Sequence, residues 1–168
     1  MIRSFNGKSP KIAQSAFISE AAYVVGDIEI GENSSVWPGA VIRADKGFAK
    51  IGKNTNVQDN SVIHGTGLTI GDNVHIGHCA VINCTKIGNH VLIGMNATLL
   101  HDVEIGNYCV IGANCLVSQG MKVPDNSLVV GVPAEIKGHV SPQTVQWWLE
   151  EGPEGMVKLA AQYKEEGL

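Results

Sequence analysis

From Ile51 to Val117 an aliphatic residue returns at every sixth position, usually followed by glycine and often by asparagine three places on. The stretch contains IGKNTN VQDNSV, IGDNVH IGHCAV, IGNHVL IGMNAT and IGNYCV IGANCL. A period of six does not match the 3.6-residue repeat of a helix, and the recurring Gly-x-Asn groups would break one repeatedly. The aliphatic register is Ile51, Val57, Ile63; Ile70, Ile76, Ile82; Ile87, Ile93, Leu99; Ile105, Ile111, Val117. A second, small or β-branched position follows four residues later at Thr55, Ser61, Val74, Ala80, Val91, Ala97, Cys109 and Cys115. Three hexads make a coil of about eighteen residues, so Ile87 stacks under Ile105 and Ile93 under Ile111. The expected fold is an all-β solenoid, a left-handed parallel β-helix of hexapeptide repeats. Aliphatic and small residues would stack inside it, with glycine and asparagine tolerating left-handed backbone at the corners.

The register begins at Ile12 and runs through Ile18, Val24, Ile30, Val36 and Ile42, then resumes to Val123 and Val129. Between Ile42 and Ile51 the spacing is nine, so RADKGFAK should bulge from a corner and carry Arg43 and Asp45 outward. Ile63 to Ile70 is seven and Ile82 to Ile87 is five, which leaves almost no excursion. After GVPAEIKGHV the period changes. Ser141 as N-cap and Pro142 in the first turn start a helical segment, expected in two pieces on either side of EGPEG. Trp147, Trp148, Leu149, Met156, Leu159 and Ala160 could bury one side against a coil face or a neighbour. The expected division is a β-helix over 1–140 and a helical segment over 141–168 that packs on it.

A 44% hydrophobic, 17% charged chain of 168 residues fits one soluble domain, and a net charge of -4 argues against nucleic acid. No apolar run is long enough to span a membrane, and MIRSFNGKSPKIA lacks a signal-peptide core, so the expected location is cytoplasmic. Cys109 and Cys115 fall on inward small positions and read as buried free thiols. Cys79 and Cys84 lack the spacing of a zinc cluster.

A solenoid must take its function from what projects outward or lies between subunits. Among the six histidines, His64 directly follows Ile63, and Asn83 directly follows Ile82 one coil later. Parallel strands lie about 4.8 Å apart, so these two outward side chains fall within reach of one ion. His78, two places after Ile76, belongs to the preceding face and could join them only from an adjacent chain.

The phrases SVWPGAVIRAD, IGKNTNVQDNSVIHG, VHIGHCAV, IGMNATLL and GVPA, with the terminal helix, resemble the gamma-class carbonic anhydrases and their carbonic anhydrase-like relatives over nearly the whole chain. That resemblance implies a homotrimer holding zinc, iron or cobalt at each subunit interface with three histidines, two from one chain and one from its neighbour. It carries His64 and His78 onto two ligands and places the third on Asn83. An amide oxygen is a poorer zinc ligand than imidazole, so metal binding should be weaker, different or absent. His101 and Cys84, each two places after a register residue, could compensate. The resemblance further implies that Arg43 and Asp45 lock neighbouring subunits. Gln58 and Asp59 would orient the water network of the site, with Asn56 in support; corner chemistry is an equal alternative for Asn56 and Asp59. The activity implied is reversible hydration of carbon dioxide to bicarbonate. The glutamate-bearing loop that exports the proton in such enzymes has no counterpart, since no Glu occurs between Glu32 and Glu104. Turnover should then be slow unless His75 or His101 relays protons. Two other readings keep the same fold: a hexapeptide-repeat acyltransferase that uses acyl-coenzyme A, and a non-catalytic structural trimer.

Overall fold

The computed structural model describes the backbone of residues 1–168 and all side chains except those of Leu149 and Glu150. The chain winds as a left-handed parallel β-helix with three faces. The first face stacks Val41–Ile51, Val62–His64, Val81–Ile82, Thr98–Leu99 and Leu116–Val117. The second continues from the far end of Val41–Ile51 through Leu68–Ile70, Lys86–Ile87, Glu104–Ile105 and Lys122–Val123. The third runs from Phe17–Ile18 through Ser35–Val36, Asn56–Val57, His75–Ile76, Leu92–Ile93 and Val110–Ile111 to Ser127–Gly131. An antiparallel partner, Ala134–His139, finishes the third face, while Ile2–Arg3 pairs beside Val24–Val25 at the other end.

The core follows the hexad register. Ile63, Ile76, Ile82, Ile93, Leu99 and Ile111 are fully buried, as are the companion small residues Thr55, Ser61, Val74, Ala80, Val91 and Ala97. Burying each large aliphatic side chain contributes roughly 1.5–3 kcal/mol. The corners need positive φ, and asparagine supplies it at Asn54, Asn60, Asn73, Asn96, Asn114 and Asn126. The hexad glycines have a different cause from the one expected. Gly71 and Gly88 are not in the positive-φ region; a Cβ on Gly71 would stand 2.7 Å from the Gly88 carbonyl oxygen, and one on Gly88 2.7 Å from that of Gly106. Close stacking of successive coils, not backbone freedom, excludes a side chain there.

The bulge over RADKGFAK is present. Gly26 pairs with Ala44 and Ile28 with Ala49, so residues 45–48 face a single residue of the coil below. They remain in the strand Val41–Ile51, which bends around the corner and joins the first and second faces.

The C-terminal segment departs from expectation. Ser141 does cap the helix, its hydroxyl accepting from the Thr144 N–H at 3.1 Å, with Pro142 in the first turn. EGPEG does not split the segment, because the helix widens to π geometry over Val145–Glu151 and proceeds into an α-helix over Gly152–Glu166. Pro153 sits in the first turn of that second stretch, where its missing N–H is tolerated. The α-helix is anchored at the early coils: Phe17, Trp37 and Ala160 are buried together with Met156 and Tyr163 against them. Trp37 and Tyr163 pack edge to face at 5.0 Å, and Lys164 Nζ donates to the Gln14 carbonyl at 2.8 Å. Met156 and Ala160 pack on the coil as expected, while Trp147, Trp148 and Leu159 are exposed on the single chain, which leaves a neighbour as their expected cover. The packing expected of Leu149 lies outside the described residues. No described helix is long and apolar enough to cross a membrane.

Candidate functional site

Three outward residues of the first face form one polar column. Pairing sets Arg43 opposite His64, and Ile63 opposite Ile82, which brings Asn83 to the place above His64. His64 Nε2 lies 3.2 Å from Asp45 Oδ1 and 3.4 Å from Arg43 Nη2, while Arg43 Nε reaches Asp45 Oδ2 at 3.4 Å. Asp45 needs a proton on Nε2 and Arg43 needs a lone pair there, so the two contacts make opposite demands on one nitrogen. The His64 hydrogen bond, and then the charge of Arg43, hold the Asp45 carboxyl below its usual range.

Asn83 Nδ2 lies 2.9 Å from His101 Nε2, and Asn83 Oδ1 is buried with no hydrogen-bond partner. A buried acceptor without a donor is costly and calls for an explanation. Cys84 does not share this outward site. The step from Ile82 to Ile87 is five rather than six, and the shortened coil draws Cys84 into the core, where burial pushes its thiol up to about 12. A thiol so hard to ionise is not available as a ligand. All four cysteines are free, and Cys109 and Cys115 are buried as expected, while Cys79 is exposed at a corner.

On the adjoining corner, His78 Nδ1 meets Asp59 Oδ2 at 2.9 Å. That contact fixes the ring, as an outer carboxylate does for a metal-ligating imidazole. Asn56 Nδ2 donates to His75 Nδ1 at 3.2 Å, and both Asn56 Oδ1 and Gln58 Oε1 are buried without a partner. The positive-φ corners fall on Asn54 and Asn60; Asp59 shares the corner turn with Asn60, while Asn56 lies off the corners. Asn56 instead belongs to the strand Asn56–Val57 and is buried. Burial, followed by the nearby His78, pushes His75 down to about 4, so its imidazole is neutral at pH 7 and a poor proton relay.

Beside these groups is an open cavity of about 260 Å3, lined by Gln58, His75, Leu92, Met95, Val110 and Trp148 among others. Its walls are mainly apolar, and Gln58 is among the residues that line it. The cavity and the Asp59–His78 and Asn56–His75 contacts were not expected from the sequence. The nineteen-residue step from His64 to Asn83 also links Asp59 to His78 and Asn56 to His75, so the same arithmetic holds that signal. Among the described residues of one chain, no three His, Cys, Asp or Glu side chains group closely enough to hold a metal.

Comparison with known proteins places this arrangement. Residues 84–119 match the model of the bacterial transferase hexapeptide (six repeats), and residues 49–84 match the hexapeptide repeat of succinyl-transferase. A carbonic anhydrase of Geobacillus kaustophilus is 37% identical over 99% of this chain and 89% of its own length. A protein of Methanocaldococcus jannaschii named as a probable carbonic anhydrase is 45% identical over 80% of this chain and 87% of its own. The chain belongs to the carbonic anhydrase-like hexapeptide-repeat family, gamma class. It spans 58% and 50% of the length of two mitochondrial gamma carbonic anhydrases of Arabidopsis thaliana. Among solved structures, a hexapeptide transferase family protein from Anaplasma phagocytophilum superposes with a TM-score of 0.93 at 30% identity, covering 97% of this chain and 98% of its own. The family assignment agrees with the resemblance read from the sequence.

Proposed function

We propose that the protein is a gamma-class carbonic anhydrase-like lyase that works as a homotrimer, with His64 and Asn83 of one chain facing His78 of the next across a shared metal site. The observation that carries this reading is the buried, unpartnered Oδ1 of Asn83 one coil above His64. The donor set of two imidazoles and one amide oxygen fits a divalent cation, because that cation satisfies an oxygen no protein group reaches. It fits zinc less well than three imidazoles would, and suits metals that accept mixed nitrogen and oxygen donors, such as iron or cobalt. A bound cation would supply the Lewis acidity that lets water ionise near neutral pH.

The chain's own residues set the rest. Asp59 holds the His78 ring, and Arg43 with Asp45 steadies His64 in the single chain. In the trimer the Arg43–Asp45 pair also bridges to the neighbouring subunit. Gln58 offers its free oxygen to a water hydrogen, and the apolar cavity beside it suits carbon dioxide, a small molecule without charge. Water oxygen attacks the carbon, one carbon–oxygen π bond opens, and bicarbonate and a proton result. His75 is held neutral by burial and His101 is engaged with Asn83, so neither of these two imidazoles is set to carry that proton away. Slow turnover follows.

The deciding experiment measures metal per chain by elemental analysis and hydratase activity, on the wild type and on Asn83→His, with trimer mass measured alongside. About one metal per chain in the wild type, affinity tightened about tenfold in the variant (a change of ~1.4 kcal/mol) and higher activity would support the site. Metal content and activity unmoved by the substitution would overturn it. Acyl transfer is the second reading, favoured by the transferase name of the Anaplasma structure. Coenzyme A binding by metal-free protein would select it, and neither metal nor coenzyme A would leave a structural trimer.

A further inference from the structure

The amide of Asn83 has two ends of nearly equal size and opposite chemistry: an oxygen that can ligate a cation, and an NH2 that cannot. Nothing in the shape of the side chain chooses between them; the hydrogen-bond partners do. Asn83 Nδ2 lies 2.9 Å from His101 Nε2, while Oδ1 is buried and unpartnered. Since an amide nitrogen only donates, Nε2 must accept, which leaves the His101 proton on Nδ1. The reverse orientation would satisfy the same contact through Oδ1, but it would bury two N–H groups in place of one oxygen and turn them toward the ligand side.

We propose that His101 is a positioning residue: it anchors the NH2 end of Asn83 and so presents the oxygen as the third donor of the metal site. The inference rests on the metal-site reading given above. It also explains why an amide can stand where the family has an imidazole. An imidazole ligand is oriented by a partner on its other ring nitrogen, and an amide likewise needs a group that recognises its nitrogen. His101 meets Asn83 because the coil is short. Ile82 pairs with Leu99, and the residue after Leu99 does not make this contact; the second one does. The five-residue step that draws Cys84 inward is therefore accompanied by an outward side chain of the next coil reaching back to Asn83.

The test titrates full-length trimer with Co2+ alone, following the cobalt absorption bands and affinity by chelator competition, for wild type, His101→Ala and His101→Gln. Loss of an outer partner of this kind weakens metal binding by about tenfold, so His101→Ala should do so with trimer mass unchanged. His101→Gln should recover most of the loss, because a glutamine oxygen can also accept from Asn83 Nδ2. Wild-type affinity in His101→Ala, or a glutamine variant as weak as alanine, would overturn the proposal. A metal-free readout separates this from failure of the metal site itself. In the 15N spectrum of apo protein at pH 8, His101 should be the Nδ1–H tautomer in the wild type and revert toward the Nε2–H form in Asn83→Ala. If wild type binds no cobalt yet shows this tautomer change, the anchoring contact stands and the metal reading fails. A His101 tautomer unaffected by Asn83→Ala removes the contact and the proposal with it.

Discussion

Ile63, Ile82 and Leu99 stand one residue away from His64, Asn83 and Leu100 on the same face, yet the two columns obey different rules. The inward column is fully buried and chemically uniform, because each member rests on the one below and every coil must close on the same interior. The outward column is free to vary, and it is there that a charge pair, an imidazole and an amide are set in sequence. The repeat thus provides a ruler about 4.8 Å per coil, and the outward residues use it to place donors. Strength and chemistry are divided by side-chain direction rather than by region of the chain.

The sharpest way to break this comparison is a pair of neighbours on the second face. Ile87 is buried and Lys86 beside it is exposed. Ile87→Ala should cost ~2–5 kcal/mol in urea unfolding at fixed chain concentration, and Lys86→Ala within ~0.5 kcal/mol. Equal losses would mean that the outward column also carries the fold.

His75 sharpens the comparison, since it is an outward residue that is partly buried. Its pKa is pushed down from 6.5 to about 4, so the unfolded chain binds a proton that the folded chain refuses between those values. Stability should therefore be full above about pH 6.5 and fall as the pH drops toward 4, by ~3 kcal/mol from this group. Measured at both ends of that window, His75→Gln should lose that part of the acid slope. An unchanged slope would show that the imidazole is already charged in the fold. A small effect is expected at the helix anchor. Lys164→Ala should cost no more than ~1 kcal/mol while speeding hydrogen exchange of the amides over 156–164, because it frees the segment from the Gln14 and Ala16 carbonyls of the first coil without touching the core.

The site was legible to the extent that it follows the repeat. Counting coils put His64 and Asn83 together and set His78 on another face, and the pairing of the strands agrees. The same counting treated Cys84 and His101 as equivalents, and the structure separates them, one buried and one outward on Asn83. Asn56 lies off the positive-φ corners at Asn54 and Asn60, whereas Asp59 shares the corner turn with Asn60 and also contacts His78. EGPEG looked like a helix break, but the π stretch ends at Glu151 and the α-helix begins at Gly152, so the chain stays helical through it.

The sequence by itself determined the solenoid, its interior and its bulge, because a period of six is a local rule repeated many times, and the phrases set on that period carried the resemblance to the family. Only the tertiary structure decided which way Cys84 turns, that His75 is kept neutral, that the hexad glycines answer to the coil above them, and that Asn83 is held by His101. Those outcomes depend on coils of unequal length shifting against each other and on contacts across coils that bury side chains, which are distances between parts of the chain that no local period encodes.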